Sequence, residues 1–112
     1  MSKIDLDTFN SLKETTGADF IGELIDAFLD EAPTLLAQLH SALAGQDTET
    51  FRRAAHSLKS NAATFGATEL TALSRELEGL GRDKNLEIGN RLQVLEAEFR
   101  QVVKELETLK AQ

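Results

Sequence analysis

The chain has 112 residues, no cysteine, and a formal charge of −7 from 19 acids against 12 bases. That length suits one domain whose core rests on packing alone, because disulfides and thiolate metal sites are both impossible. Apolar runs reach only three residues, as at Ala27, Phe28 and Leu29, and Met1 to Asp5 hold no signal-peptide core, so a soluble, unexported, cytoplasmic protein is expected, either free-standing or a domain of a larger chain.

The charge is unevenly spread. Residues 1–50 hold ten acids against Lys3 and Lys13, whereas residues 51–112 hold nine acids against ten bases. From Phe51 to Thr68 there are Arg52, Arg53 and Lys59 and no acid. A chain so acidic overall repels a nucleic-acid backbone, and its basic island suits one small anion better than a polyphosphate track.

Sparse glycine, a single proline and a leucine-rich apolar set favour helix throughout, with no sheet. A short first helix is predicted from near Asp5 to Gly17, presenting Leu6, Phe9 and Leu12 to a core. The second runs from about Asp19 to Ala44 with Ile21, Ile25, Phe28, Leu29, Ala32, Leu36, Leu39 and Leu43 on one stripe; Pro33 should kink or divide it. Gly45 supplies the stop, and Asp47 or Thr48 can cap a third helix.

That third helix turns Phe51, Ala54, Ala55, Leu58, Ala62 and Phe65 inward, and Gly66 is placed to end it in a left-handed conformation. A fourth carries Leu70, Leu73, Leu77 and Leu80 until Gly81, Arg82 and Asp83 break the pattern. The last is predicted from about Asn85 to Lys110, with Ile88, Leu92, Leu95, Phe99, Val102, Leu106 and Leu109 spaced by four and three. Four substantial amphipathic helices joined by short turns predict an all-α fold, an antiparallel four-helix bundle with a short extra N-terminal helix, as one domain over 1–112 with its core at about 19–110.

His56 lies roughly 140° around the third helix from Phe51, away from the apolar stripe and toward solvent. Arg52 and Lys59 flank it at one turn, while Ser60 and Ala63 lie beyond it and leave a shallow, accessible surface. An exposed neutral imidazole, with a reference pKa near ~6.5, can act as a nucleophile without a general base, and a nearby cation can steady a transferred phosphoryl group. By periodicity alone, however, a surface histidine among cations is more often part of a solvated face.

The stretch Ala55, His56, Ser57, Leu58, Lys59, Ser60, followed by Phe65, Gly66 and Ala67, resembles the signature of histidine-containing phosphotransfer domains: histidine-x-leucine-lysine, a small residue, and a later glycine. Phe28, Leu29 and Pro33 upstream and Leu70, Leu77 and Glu78 downstream are arranged as in that family. The resemblance covers roughly residues 19–110. It implies that His56 is phosphorylated, that Lys59 orients or stabilises the phosphoryl group, and that Gly66 is a structural turn. Ser60 stands where many members have glycine and keeps the site small. Arg52 has no motif behind it; a role in attracting phosphate is inferred from helical geometry only.

The resemblance further implies a phosphoryl carrier, not a kinase, which accepts from one receiver aspartate and donates to another. Its partners would be receiver domains of response regulators or hybrid histidine kinases. It would bind no cofactor, magnesium being held by the partner receiver, and a monomer is expected. A helical adaptor without transfer, or a self-associating bundle, is the alternative reading of the same residues.

Other features attract simpler readings. His40 lies about 75° off the second helix's core stripe and reads as a boundary residue. Two histidines on separate helices give no metal-ligand spacing, so no metal site is expected. Gly79, Leu80 and Gly81 lack the pattern of a phosphate-binding loop and read as a helix end.

Overall fold

The computed structural model describes residues 2–112, and the described residues form five helices with no strand. The first, α1 (Leu6–Thr16), starts where the Asp5 carboxylate accepts the Asp7 backbone N–H at 3.1 Å and ends at Gly17, φ +96°. Phe9 is buried as expected, but Leu6 is exposed. Ile4, in the extended segment before the helix, takes the core position instead.

The 28-residue α2 (Ala18–Gly45) sets the long axis of the molecule, since its rise of about 42 Å equals the longest dimension, 42 Å. Pro33 does not divide it. The proline sits on the exposed face, and its cost of about 3 kcal/mol is offset by the buried stripe on both sides, from Ile21 and Ile25 to Leu36 and Leu39. The left-handed residue that closes α2 is Gln46, φ +57°, rather than Gly45. Its conformation lets the Asp47 N–H reach the Ala42 carbonyl at 2.9 Å, so the helix runs one residue further than glycine alone suggests.

Asp47 then caps α3 (Thr48–Thr64), accepting the Thr50 N–H at 3.1 Å. Gly66, φ +78°, turns the chain into α4 (Thr68–Arg82). The final helix, α5 (Arg91–Ala111), begins six residues later than Asn85, where periodicity had placed it. The intervening segment contains left-handed Lys84 and Gly89, and Asn85 accepts the Glu87 N–H in a local turn. Ile88 is buried from this loop. It stands four residues before Leu92, so its place in the core mimics a helical repeat without belonging to one.

α2 packs on α3, α3 on α4, α4 on α5 and α5 back on α2, which closes a four-helix bundle; α1 lies across α2 and α3. Leu39, Phe51, Leu58, Leu70, Leu95 and Leu106 are fully buried in its centre. Phe28 joins the layers, its ring 5.5 Å from Phe65 and 6.0 Å from Phe99 in tilted contacts. The tightest pairing is α3 with α4, where Ala55, Ala62, Ser74 and Gly81 are buried small residues. A side-chain carbon on Gly81 would lie 3.1 Å from the Arg52 backbone, so glycine there permits the close approach.

The N-terminal segment is tied down at both ends. The Glu105 carboxylate accepts the Ile4 N–H at 2.7 Å and the Ser2 hydroxyl at 2.6 Å, and the Asp5 N–H donates to the Gly66 carbonyl at 2.7 Å. Gly66 has no room for a side chain: a Cβ would meet the Asp5 carbonyl oxygen at 2.9 Å and the Thr8 Cβ at 3.0 Å. Gly66→Ala should therefore cost about 2–4 kcal/mol, combining backbone strain with overpacking, read as a lower urea midpoint at unchanged slope. Gly89→Ala, also at positive φ but with no heavy atom near its Cβ position, should cost less; equal losses would show that the Asp5 and Thr8 contacts carry nothing.

Candidate functional site

The outward stripe of α3 carries His56, Ser60 and Ala63, all exposed, with Lys59 half-buried beside them. The His56 side chain is 54% exposed, so the ring projects into water rather than packing inward. Its Nδ1 nevertheless has a firm partner: Glu78 Oε2 on α4, at 2.7 Å. The other carboxylate oxygen, Oε1, accepts the Lys59 ammonium at 2.6 Å. One buried carboxylate, only 5% exposed, thus fixes both residues that the sequence singles out.

Two features of the chain create this contact. Thr71, Ser74, Glu78 and Gly81 recur at helical spacing on the buried face of α4 toward α3. The small size of Thr71, Ser74 and Gly81, the last against the Arg52 backbone, brings Glu78 beneath the imidazole. In the sequence Glu78 stands out only as one of the family-like positions of the downstream helix. The signal that could have found it is an acid within a stripe of small residues, where burial without a cation would be prohibitive.

Glu78 titrates below the ordinary glutamate value. The hydrogen bond from Lys59 is the main cause; burial opposes it, and the His56 hydrogen bond adds to the lowering. An ionised carboxylate can only accept, so Nδ1 must donate. A neutral ring then has its proton on Nδ1 and its lone pair on Nε2, for which no hydrogen bond is found among the described residues. The nitrogen with the free lone pair points outward while the inward one is anchored.

Arg52 has a different partner from the one its helical position suggested. Both its Nε and Nη2 donate to the Glu49 carboxylate one turn earlier, and that pairing raises the guanidinium's already high pKa. Arg53 lies 3.8 Å from the same carboxylate. Arg82, on the last turn of α4, approaches Glu78 Oε2 to 3.7 Å while 64% exposed. Between α2 and α3 runs a groove of about 140 Å³ floored by Phe28 and Phe65 and edged by Leu24, Ala27 and Asn61. His40 belongs elsewhere, paired with Glu96 of α5 at 2.7 Å. Among the described residues no cluster of three or more histidines or acids could hold a metal ion, and no helix is long and apolar enough to cross a membrane.

Residues 23–112 match the family described as the Hpt domain. The chain belongs to the Hpt domain family. Hpt domains are phosphocarriers rather than kinases, and their chemistry is histidine phosphotransfer within two-component relays. The fold is similar to the crystal structure of histidine-containing phosphotransfer protein B (HptB) from Pseudomonas aeruginosa PAO1, with a TM-score of 0.87 and 28% identity, covering 96% of this chain and 94% of that one. The chain is also 33% identical over 75 residues to the sensor protein TorS of Escherichia coli (strain K12). That match takes in 67% of this chain but 8% of TorS, so this Hpt chain corresponds to a small part of that relative.

The depressed pKa of Glu78 makes stability depend on pH. A carboxyl whose folded value lies below its unfolded one contributes stability that is complete above the ordinary glutamate pKa and is lost as pH falls through the depressed value. Glu78→Gln should cost about 1–3 kcal/mol near pH 7, and its difference from wild type should shrink through that acidic window when urea midpoints are compared. A difference independent of pH would show that the charge is not what stabilises the cluster.

Proposed function

We propose that His56 is the phosphorylated residue of this Hpt domain, accepting a phosphoryl group from the aspartate of one receiver domain and passing it to the aspartate of another. The observation that carries this reading is the imidazole held through Nδ1 by Glu78, with Nε2 turned to solvent. In the accepting step the Nε2 lone pair forms the N–P bond. The P–O bond to the receiver's aspartate breaks, and its electron pair leaves with that carboxylate. No proton has to be removed, because Nδ1 keeps its hydrogen and the ring becomes a phosphorylated imidazolium. Glu78 is already hydrogen-bonded to the nitrogen where positive charge develops, and it needs no reorganisation to stabilise it. The donating step is the reverse.

Phosphoryl transfer through a loose transition state asks for positioning and charge neutralisation more than covalent chemistry. Lys59 supplies the cation at one turn from His56. Ser60 and Ala63 keep the approach to Nε2 low enough for the ring to enter another protein's pocket, and Gly66 maintains the turn behind them. The groove lined by Leu24, Ala27, Phe28 and Phe65, farther along α3 from His56, offers apolar surface for the receiver to cover. Magnesium belongs to the receiver's acidic pocket in this reading; the Hpt domain binds no cofactor, acts as a monomer, and has neither kinase nor ATPase activity of its own. Arg52, engaged by Glu49, serves at most a long-range electrostatic role in attracting phosphate.

Mixing the protein with a phosphorylated receiver should place an acid-labile label on it, and His56→Gln should abolish that label. Lys59→Ala should still accept phosphate, but about 10- to 100-fold more slowly, the loss of one charge-stabilising contact in the transition state. Light scattering should give the monomer mass across concentration. Absence of label on the wild type with several receivers would favour an adaptor that binds without transfer.

A further inference from the structure

Lys59 has two claims on it. In the unphosphorylated protein its ammonium is 2.6 Å from Glu78 Oε1, yet the phosphotransfer reading needs that charge at the phosphoryl oxygens. Nδ1 and Nε2 lie on opposite sides of the imidazole, and Nδ1 faces Glu78, so a phosphoryl group on Nε2 projects away from the carboxylate. A charge-assisted hydrogen bond reaches about 2.8 Å, and a phosphoryl group on the far side of the ring draws the ammonium outward, away from Oε1. If Lys59 moves, Glu78 is left as a buried anion, which a protein interior tolerates only with another cation.

Such a cation is in place. Arg82 lies one turn after Glu78 on α4, its Nη2 3.7 Å from Oε2. Among the described residues it has no hydrogen bond and no other ion pair. It is mostly exposed, so closing onto the carboxylate displaces no packed group. Arg52 is not equivalent, because its Nε and Nη2 are both taken by Glu49. A planar guanidinium also matches a carboxylate better than an ammonium does.

We propose that Arg82 is the reserve counter-ion of Glu78: when His56 carries a phosphoryl group, Lys59 leaves Glu78 for the phosphoryl oxygens and Arg82 closes onto the carboxylate in its place. Arg82 is thus a positioning residue that acts through Glu78 and frees Lys59 for the phosphorylated state. The inference rests on His56 being the phosphorylated residue.

The test uses the whole chain, loaded with potassium phosphoramidate as a small phosphoryl donor, with the site of modification checked by mass spectrometry. Wild type, Arg82→Gln and Arg82→Lys are compared by the ¹⁵N signal of Lys59 Nζ and by the half-life of the phosphohistidine. Before loading, all three should show the same melting temperature and the same Nδ1–H tautomer. On loading, the Lys59 signal should move in wild type and in Arg82→Lys but stay near its resting position in Arg82→Gln. The phosphohistidine of Arg82→Gln should decay about two- to fivefold faster, the range expected for one solvent-exposed ion pair. An Arg82→Gln protein whose Lys59 signal moves as in wild type overturns the proposal, as does a wild type in which Lys59 never moves. A wild type that takes no phosphoryl group on His56 defeats the functional reading itself and is seen before any Arg82 variant is considered.

Discussion

The Glu78 carboxylate, buried between α3 and α4, is the constraint on which the site depends. Burial of an unpaired carboxylate is costly enough that the fold must bring cations and donors to it, and it brings two: the Lys59 ammonium and the His56 Nδ1–H. Both are thereby anchored to the same carboxylate. A histidine on a helix surface would otherwise be free to rotate and to choose its tautomer. Here one hydrogen bond settles which nitrogen faces out, and a lone pair is presented to solvent without a general base.

That contact exists because α3 and α4 approach closely, and they do so because their facing residues are small. Ala55, Ala62, Ser74 and Gly81 let the backbones come together, while the large side chains Phe51, Leu58, Leu70 and Leu77 fill the bundle on the other side. Stability and function are divided by face along the same helices. The inward stripe excludes water and carries most of the hydrophobic stabilisation; the next stripe around holds a charged network that is half-open to solvent. The Gly66 turn joins the two helices at one end and accepts the Asp5 N–H, so the N-terminal segment also bears on the register between them.

The charge distribution follows from the same division. Most of the excess negative charge lies in α1 and α2, whereas α3 and α4, which hold the imidazole, carry Arg52, Lys59 and Arg82. They are not equivalent there. Arg52 is engaged by Glu49, Lys59 by Glu78, and Arg82 only loosely by Glu78. The cations near the imidazole are thus held in graded fashion rather than as a uniform basic patch.

The number of bundle helices, their buried faces and the exposure of His56 were legible in the sequence, because helical periodicity is local and the apolar stripes are long. Ile88 and Leu6 misled for the same reason: a residue at the right spacing need not be on a helix, or need not face the core, when a neighbouring segment fills the position. Pro33 was legible as a helix breaker but not as one tolerated, since its tolerance is decided by packing on both sides of it. The resemblance around His56 and Lys59 lay in contiguous residues and could be read directly. What only the tertiary structure decided is the pairing across helices. Glu78 lies 22 residues from His56 along the chain, and whether it meets the imidazole depends on how closely α3 and α4 approach. Local pattern says which way a side chain points; a contact between two helices is set by the sizes of all the residues between them, and that is a property of the packed fold.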